Sequence, residues 1–339
     1  MDYTYITVKY LFWIGLFLIF YTYLGYGILL YIMVRIKELF SKPAHPLLPD
    51  PLPDVTLFIA AYNEEDIVAS KMDNCHALAY PKDKLKIVWV TDGSNDRTNE
   101  LLEQYPDVTV LFQPERKGKT AALNRGIQYI TTPYVIFTDA NTMLNKEAIH
   151  EIVRQFSNPK VGCVETKTAQ GATAGEGIYW KYESALKALD FRLYSAVGAA
   201  GELFAVRTEL FEQMPSDTLL DDFILSLRIA QKGYKIAYCK EAYATETASL
   251  NMKEEEKRKI RIAAGGLQSV WRLRSLFNIF RYGILSFQFV SHRVLRWTIT
   301  PIILFLLIPL NIFLACKGEF TYILLLLLQV AFYMMAYAG

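Results

Sequence analysis

The sequence predicts an α/β protein: a mostly parallel sheet covered by helices, carried on transmembrane and interfacial helices. Long uncharged apolar runs concentrate near the two ends of the chain. Between them, short β-rich runs alternate with helical stretches, the pattern of βαβ units. The polar motifs fall where the strand runs end, which is where open parallel sheets bind their ligands.

With 339 residues, 53% of them hydrophobic, the chain can hold a soluble domain with its own core beside a membrane portion. A formal charge of +2, without an arginine-rich tract interleaved with aromatics, excludes nucleic acid as a partner. The four cysteines, Cys75, Cys163, Cys239 and Cys316, form no CxxC pair, so neither a zinc site nor a disulfide scaffold is indicated, and a reducing compartment suits them.

Residues 1–42 read as a transmembrane helix and its exit. Leu11 to Val34 carries no charge and is long enough to cross a hydrocarbon core of about 30 Å. Arg35 and Lys37 follow and place that end in the cytosol. Residues 43–54 form a proline-rich linker, and 55–275 the cytosolic domain. Residues 276–297 are expected to form an interfacial amphipathic helix, because Phe277, Phe280, Phe287 and Phe289 alternate with Arg281, Arg293 and Arg296 just after Arg272 and Arg274. Residues 298–339 read as a membrane hairpin, Thr298 to Cys316 and Phe320 to Ala338, turning at Lys317-Gly318-Glu319. An integral protein of the plasma or inner membrane follows; the absence of a charged flank at Gly339 leads us to expect further spans beyond it.

Within the domain, strands are expected at Val55 to Ala60, Ile87 to Thr91, Val108 to Phe112 and Tyr134 to Thr138. Helices are expected at Glu65 to Leu78, Thr98 to Gln104 and Thr120 to Tyr129. Strand one runs into Ala60-Ala61-Tyr62-Asn63-Glu64-Glu65, an aromatic ring able to stack on a base and a carboxylate able to bind ribose hydroxyls, or simply a turn with an acid at a helix start. Strand two ends at Asp92-Gly93-Ser94, where glycine lets backbone approach a ligand, although such a tripeptide is also ordinary turn chemistry. Glu115-Arg116-Lys117-Gly118-Lys119 sets cations before a helix, where they can meet phosphates or lie in solvent.

Asp139 and Asn141 stand two residues apart after a buried run; on an extended backbone both point one way and reach one cation, Mg²⁺ or Mn²⁺, with diphosphate oxygens completing the shell. Leu220-Asp221-Asp222 opens a further helix, which the two aspartates can also cap. Gln268, Trp271 and Arg272 follow a charged stretch, a place where a tryptophan commonly anchors to a membrane.

In this order the motifs resemble those of the membrane-integrated family 2 glycosyltransferases, the superfamily of cellulose, chitin, hyaluronan and poly-N-acetylglucosamine synthases, over about Val55 to Pro301. The resemblance implies a GT-A domain in which Ala60, Tyr62, Glu64, Asp92, Lys119 and Asp139 bind the nucleotide sugar. It implies Asp139 and Asn141 as metal ligands, and Asp222 as the general base that lets an acceptor hydroxyl invert the anomeric centre. Gly201, Asp221, Arg228, Gln268, Trp271 and Arg272 are implied on the acceptor and diphosphate side. The chain departs from the family in two places: Trp271 and Arg272 reverse the order of the QxxRW motif, and Asn141 replaces a second carboxylate.

The expected activity is metal-dependent transfer from a UDP-sugar to a saccharide acceptor in β-linked polysaccharide synthesis at the bilayer. Alternatives are addition of one sugar to a lipid-linked acceptor, and a noncatalytic scaffold subunit of a synthase. A homo-oligomer or a partner membrane subunit is compatible with each. A dehydrogenase is disfavoured, since no GxGxxG follows the first strand.

Overall fold

The computed structural model describes residues 3–41, 46–170, 174–246 and 252–338. The chain divides into two compact units, Met1–Ile32 with Phe287–Gly339, and Met33–Ser286.

The chain begins with α1 (Tyr3–Phe20), a π-helical turn (Tyr21–Gly25) and α2 (Tyr26–Phe40), one continuous run of 38 residues. This run is long and apolar enough to cross a membrane. The domain then runs β1 (Val55–Ala61), α3 (Val68–His76), β2 (Leu85–Asp92), α4 (Thr98–Leu102), β3 (Val108–Gln113), α5 (Lys119–Gly126) and β4 (Tyr134–Asp139). It continues through β5 (Thr142–Leu144), α6 (Ala148–Phe156), β6 (Val161–Gln170), α7 (Ala174–Leu193), β7 (Leu203–Arg207), α8 (Asp221–Gln231), β8 (Lys235–Glu246) and α9 (Met252–Arg272).

The eight strands form one mixed sheet in the order β3-β2-β1-β4-β7-β6-β8-β5. The four strands β3, β2, β1 and β4 are parallel, and β7 is the antiparallel neighbour of β4. Because the order reverses between β1 and β4, their carboxyl ends diverge into a crevice, and Ala60 lies opposite Asp139 there.

β1 is buried on both faces, as a central parallel strand must be. On one face Leu57, Ile59, Trp89 and Ile136 pack with Met72 of α3 and Ile149, Ile152, Val153 and Phe156 of α6, which recur at helical spacing. On the other, Phe58, Phe137 and Phe204 form a row with ring centroids 5.1 and 5.0 Å apart. Gly126 lets α5 close on that row, since a Cβ there would lie 2.5 Å from the Phe58 ring.

After α9 the stretch expected to be one interfacial helix is instead divided: α10 (Ile279–Tyr282) is a short turn, and α11 (Ile284–Phe289), a π-helical turn (Val290–Val294) and α12 (Leu295–Trp297) form a second, continuous helical run. Local chemistry accounts for the breaks. Asn278 caps α10 by accepting the Arg281 N–H at 3.1 Å, and Gly283 stops it at a φ of 53°. Ile279, Phe280 and Ile284 are exposed on this stretch.

α13 (Ile299–Ala315) and α14 (Phe320–Ala338) follow. Within the first unit, Phe12, Leu307, Leu314 and Tyr322 make a small core, and Tyr333 donates to the Leu304 carbonyl across the hairpin at 2.6 Å. Of these segments, Ile284–Trp297 and Ile299–Ala315 reach membrane-spanning length together, bent by 48°. α14 is a shorter apolar helix by the same measure.

Gly198, in the turn before β7, has a φ of 85°, and a Cβ on it would meet the Phe223 ring at 2.1 Å. Gly233 has a φ of 94° with nothing within 4 Å. Gly198→Ala should therefore combine backbone strain with overpacking and lower stability by about 1–3 kcal/mol more than Gly233→Ala. Chemical-denaturation midpoints of the two variants measure the difference.

Candidate functional site

The site forms where the carboxyl ends of β1, β2 and β4 meet the amino ends of α5 and α8. Asp92 closes β2 and is buried. Its Oδ2 accepts the Lys117 and Gly118 backbone N–H groups at 2.8 and 2.6 Å, while its buried Oδ1 has no partner among the described residues. This clamp, with Gly118 at a φ of 91°, sets the angle at which α5 starts and so directs its first residue, Lys119.

The Lys119 ammonium contacts Asp139 Oδ1 at 2.5 Å. Ala60, Lys119, Asp139, Gly201 and Asp221 line one cavity. A Cβ on Gly201 would lie 3.2 Å from Asp222 Oδ2 and 3.5 Å from Lys119 Nζ, so the missing side chain keeps the space between these groups open. The cleft walls partly desolvate Lys119, whose side chain stays 39% exposed, but the carboxylates of Asp139, Asp221 and Asp222 outweigh this and hold its pKa above the usual lysine value.

Asp221 and Asp222 begin α8, where the helix dipole favours negative charge. Even so, burial and the neighbouring Asp221 push the Asp222 carboxyl up to about 8. Burial likewise raises Asp221, whose Oδ2 has no hydrogen-bond partner among the described residues. Each carboxyl thus holds a proton more tightly than a solvated aspartate does.

At the tip of β1 the ring of Tyr62 is stacked by the Arg116 guanidinium, 3.7 Å from the ring centroid. The loops after β1 and β2 are joined by side chains: Asn63 and Asn95 exchange two hydrogen bonds, Glu64 N–H donates to Thr98 Oγ1, and Glu65 N–H to Asp96 Oδ2. Burial, with Asp139 and Asp96 nearby, raises Glu64 to about 7.

Gln268 and Arg272 lie on α9 and brace the segment leading into Asp221. Gln268 accepts the Leu219 N–H at 3.0 Å and donates to the Asp217 carbonyl at 2.8 Å. Arg272 holds Asp217 Oδ2 and Thr218 Oγ1, each at 2.7 Å. Trp271 is instead 70% exposed with its ring against Arg274. Arg228 sits six residues along α8 from Asp222, about 9 Å of helix, and bonds the Gln213 carbonyl. These two side chains are not drawn into the Lys119 cluster by any contact among the described residues.

Among the described residues no group of three or more His, Cys, Asp or Glu side chains could hold a metal ion. Asp139 is a hard oxygen donor at the cleft, which suits a cation that takes its other ligands from a diphosphate and water. Asp139 and Asn141 are not presented by strand alternation as expected, because β4 ends at Asp139 and residues 140–141 form a turn. Thr142 Oγ1 closes that turn on the Asp139 carbonyl at 2.9 Å.

One residue beside the site, Lys71, escaped the sequence reading, and another, Arg116, entered it without a role of its own. Arg116 was only one of several loop cations. Lys71 lies on the buried stripe of α3 with Val68, Met72 and Cys75, so its signal was a lysine at an apolar periodic position.

Comparison with known proteins agrees with this geometry. The poly-beta-1,6-N-acetyl-D-glucosamine synthase of Staphylococcus aureus (strain MSSA476) is 28% identical over 244 residues, 68% of this chain and 58% of that protein. The probable glycosyltransferase YdaM of Bacillus subtilis (strain 168) is 27% identical over 268 residues, 70% of this chain and 63% of its own length. The chain thus spans less than two thirds of the length of both relatives. Among solved structures, the mannosyltransferase PcManGT from Pyrobaculum calidifontis, in complex with GDP-Man and Mn²⁺, superposes with a TM-score of 0.69 at 23% identity, over 94% of this chain and 96% of that one. Residues 1-349 of S. aureus TarS give 0.51 at 14% identity, over 70% of each chain. At such identities the likeness establishes the fold, GT-A. Residues 53–265, which include every cleft residue from Ala60 to Asp222, match the family described as Glycosyltransferase like family 2, and the chain belongs to that family.

Proposed function

We propose that this glycosyltransferase is a metal-dependent inverting enzyme that moves a sugar from a UDP-sugar to a saccharide acceptor in β-linked polysaccharide synthesis, anchored in the plasma or inner membrane with its GT-A domain in the cytosol. The reading is carried by one observation: Lys119, ion-paired with Asp139, and Asp222 converge on the space that the missing side chain of Gly201 leaves open, 3.5 and 3.2 Å from where its Cβ would stand.

In this arrangement Tyr62 and Asp92 receive the nucleoside, the unpartnered Asp92 Oδ1 being available to a base N–H and Arg116 shifting from the Tyr62 ring. Glu64 meets the ribose hydroxyls. Lys119 then leaves Asp139 to pair with the diphosphate, placing positive charge where the leaving group becomes more negative. A divalent cation held by Asp139 and Asn141 would supply Lewis-acid stabilisation to the same leaving group. Asp222, beside the Gly201 gap, takes the acceptor hydroxyl proton, and attack from the face opposite the diphosphate inverts the anomeric carbon. The curated synthase relative, named for a β-linked polymer, supports this acceptor class. Gln268 and Arg272 serve by holding the 217–219 segment behind the two aspartates.

A second reading, one sugar added to a lipid-linked acceptor, uses the same cleft. It is favoured by the exposed Ile279, Phe280 and Ile284 beside Arg274 and Arg281, chemistry suited to a lipid surface. Product length separates the two: a ladder supports polymer synthesis, and a single added sugar supports the second reading.

Purified protein incubated with a panel of radiolabelled nucleotide sugars should transfer from a UDP-sugar with Mn²⁺ and lose the activity in excess EDTA; transfer unaffected by EDTA would remove the metal from the scheme. Asp222→Asn should lower transfer by roughly 10²–10⁴-fold while UDP binding is retained, and wild-type transfer would exclude Asp222 as the base.

The pH dependence follows from burial of the same group. With its pKa raised to about 8, Asp222 is mostly protonated at neutral pH, and only the ionised form can accept a proton. Transfer should rise as pH increases through about 8 and flatten above it. The kcat/KM profile of the wild type checks this, and an ascending limb that stays in Asp222→Asn would assign the titration to another group.

A further inference from the structure

Beneath the turn that carries Asp139 and Asn141 lies a buried cation. Lys71 is 0% exposed. Its ammonium donates to Thr138 Oγ1 at 3.2 Å, to the Asp139 carbonyl at 3.0 Å and to the Thr142 carbonyl at 2.5 Å. No carboxylate lies within ion-pair distance of it among the described residues. All three of its protons are directed at neutral oxygens of one five-residue segment.

The choice of side chain is informative. Burying an ammonium costs several kcal/mol before its hydrogen bonds are counted. Val68, Met72 and Cys75 show that an apolar residue suits the same stripe of α3. What an apolar side chain could not do is gather oxygens that would otherwise repel one another. Lysine offers three donors and no acceptor, whereas a hydroxyl or amide would set its own lone pairs against one of them.

The same oxygens continue toward the other half of the cleft. Thr138 Oγ1 bonds Thr142 Oγ1 at 2.8 Å and the Glu202 carbonyl at 3.0 Å. Thr142 Oγ1 also reaches that carbonyl, at 3.3 Å. Glu202 directly follows Gly201, the residue whose missing side chain leaves space beside Lys119 and Asp222.

We infer that Lys71 is a positioning residue for transfer: it turns the carbonyls of the 139–142 turn inward, so that the Asp139 carboxylate is held on the cleft side in register with the Gly201–Glu202 backbone. This rests on the metal-dependent reading given above. Lys71 touches neither donor nor acceptor; it acts through the turn.

The test is Lys71→Met in the full-length protein, which keeps the stem and removes the three donors. UDP binding in EDTA reports the Tyr62 and Asp92 side of the cleft, and Mn²⁺ binding in the presence of UDP, followed by the electron paramagnetic resonance of the free ion, reports the turn. UDP affinity without metal should stay within about twofold, while Mn²⁺ affinity and kcat each fall by roughly 10–100-fold with little change in donor KM, the range expected for a residue behind a metal ligand. Unchanged Mn²⁺ affinity in a variant that binds UDP would overturn the assignment. Loss of UDP binding together with Mn²⁺ binding would overturn it as well, making Lys71 a general folding residue. A wild-type protein that binds UDP but no Mn²⁺ would instead refute the metal-dependent reading itself.

Discussion

The cleft depends on the placement of the Lys119 ammonium among carboxylates. Asp139, Asp221 and Asp222 approach one another from β4 and α8, and Lys119 is the cation whose charge each of them feels. Without it, bringing three acids into a partly dry crevice would be opposed by desolvation and mutual repulsion together. With it, the acids can differ in state: Asp139 pairs with the ammonium, while Asp222 is left with a carboxyl whose affinity for a proton is raised.

Lys119 can do this only because its own position is imposed. Asp92 spends one oxygen on the two N–H groups ahead of α5, and the βα loops on either side of it are tied by the Asn63, Asn95, Thr98 and Asp96 bonds. Three of these bonds run from backbone N–H groups to a carboxylate and are charge-assisted, which makes them the stronger ties of the loops. Arg116 on Tyr62 is the exception: a cation-π contact at the surface is weak enough to be displaced.

Below the cleft, polarity continues where a core would ordinarily be apolar. Thr138, Thr142 and Lys71 are all buried, and they link β4, the following turn and the Glu202 backbone. The apolar packing of Phe58, Phe137 and Phe204 lies alongside on the α5 face. A fully satisfied polar network is more rigid than an apolar contact of the same size, since each bond has a direction as well as a distance.

Much of this was legible in the order of residues. Alternating β-rich and helical runs are a local property, so the first four strands and the three helices between them could be read from period and turn chemistry alone, with ends displaced by a few residues. The acidic motifs were readable too, since each sits at the end of a strand run or the start of a helix. Other features were not readable. The 276–297 stretch has the composition of an amphipathic helix, but Asn278 and Gly283 divide it, and capping outweighs periodicity over so short a run. Asp139 and Asn141 were assigned to an extended backbone, whereas Thr142 folds it into a turn. By itself, then, the sequence determined the βα alternation, the apolar end segments and the identity of the acids. Only the tertiary structure decided that Lys119 stands among Asp139, Asp221 and Asp222, that Gln268 and Arg272 brace while Trp271 stays exposed, and that a lysine on an apolar stripe supports the 139–142 turn. The reason is that these relations join groups tens to more than a hundred residues apart, and no local propensity encodes which of them desolvation and charge will bring together.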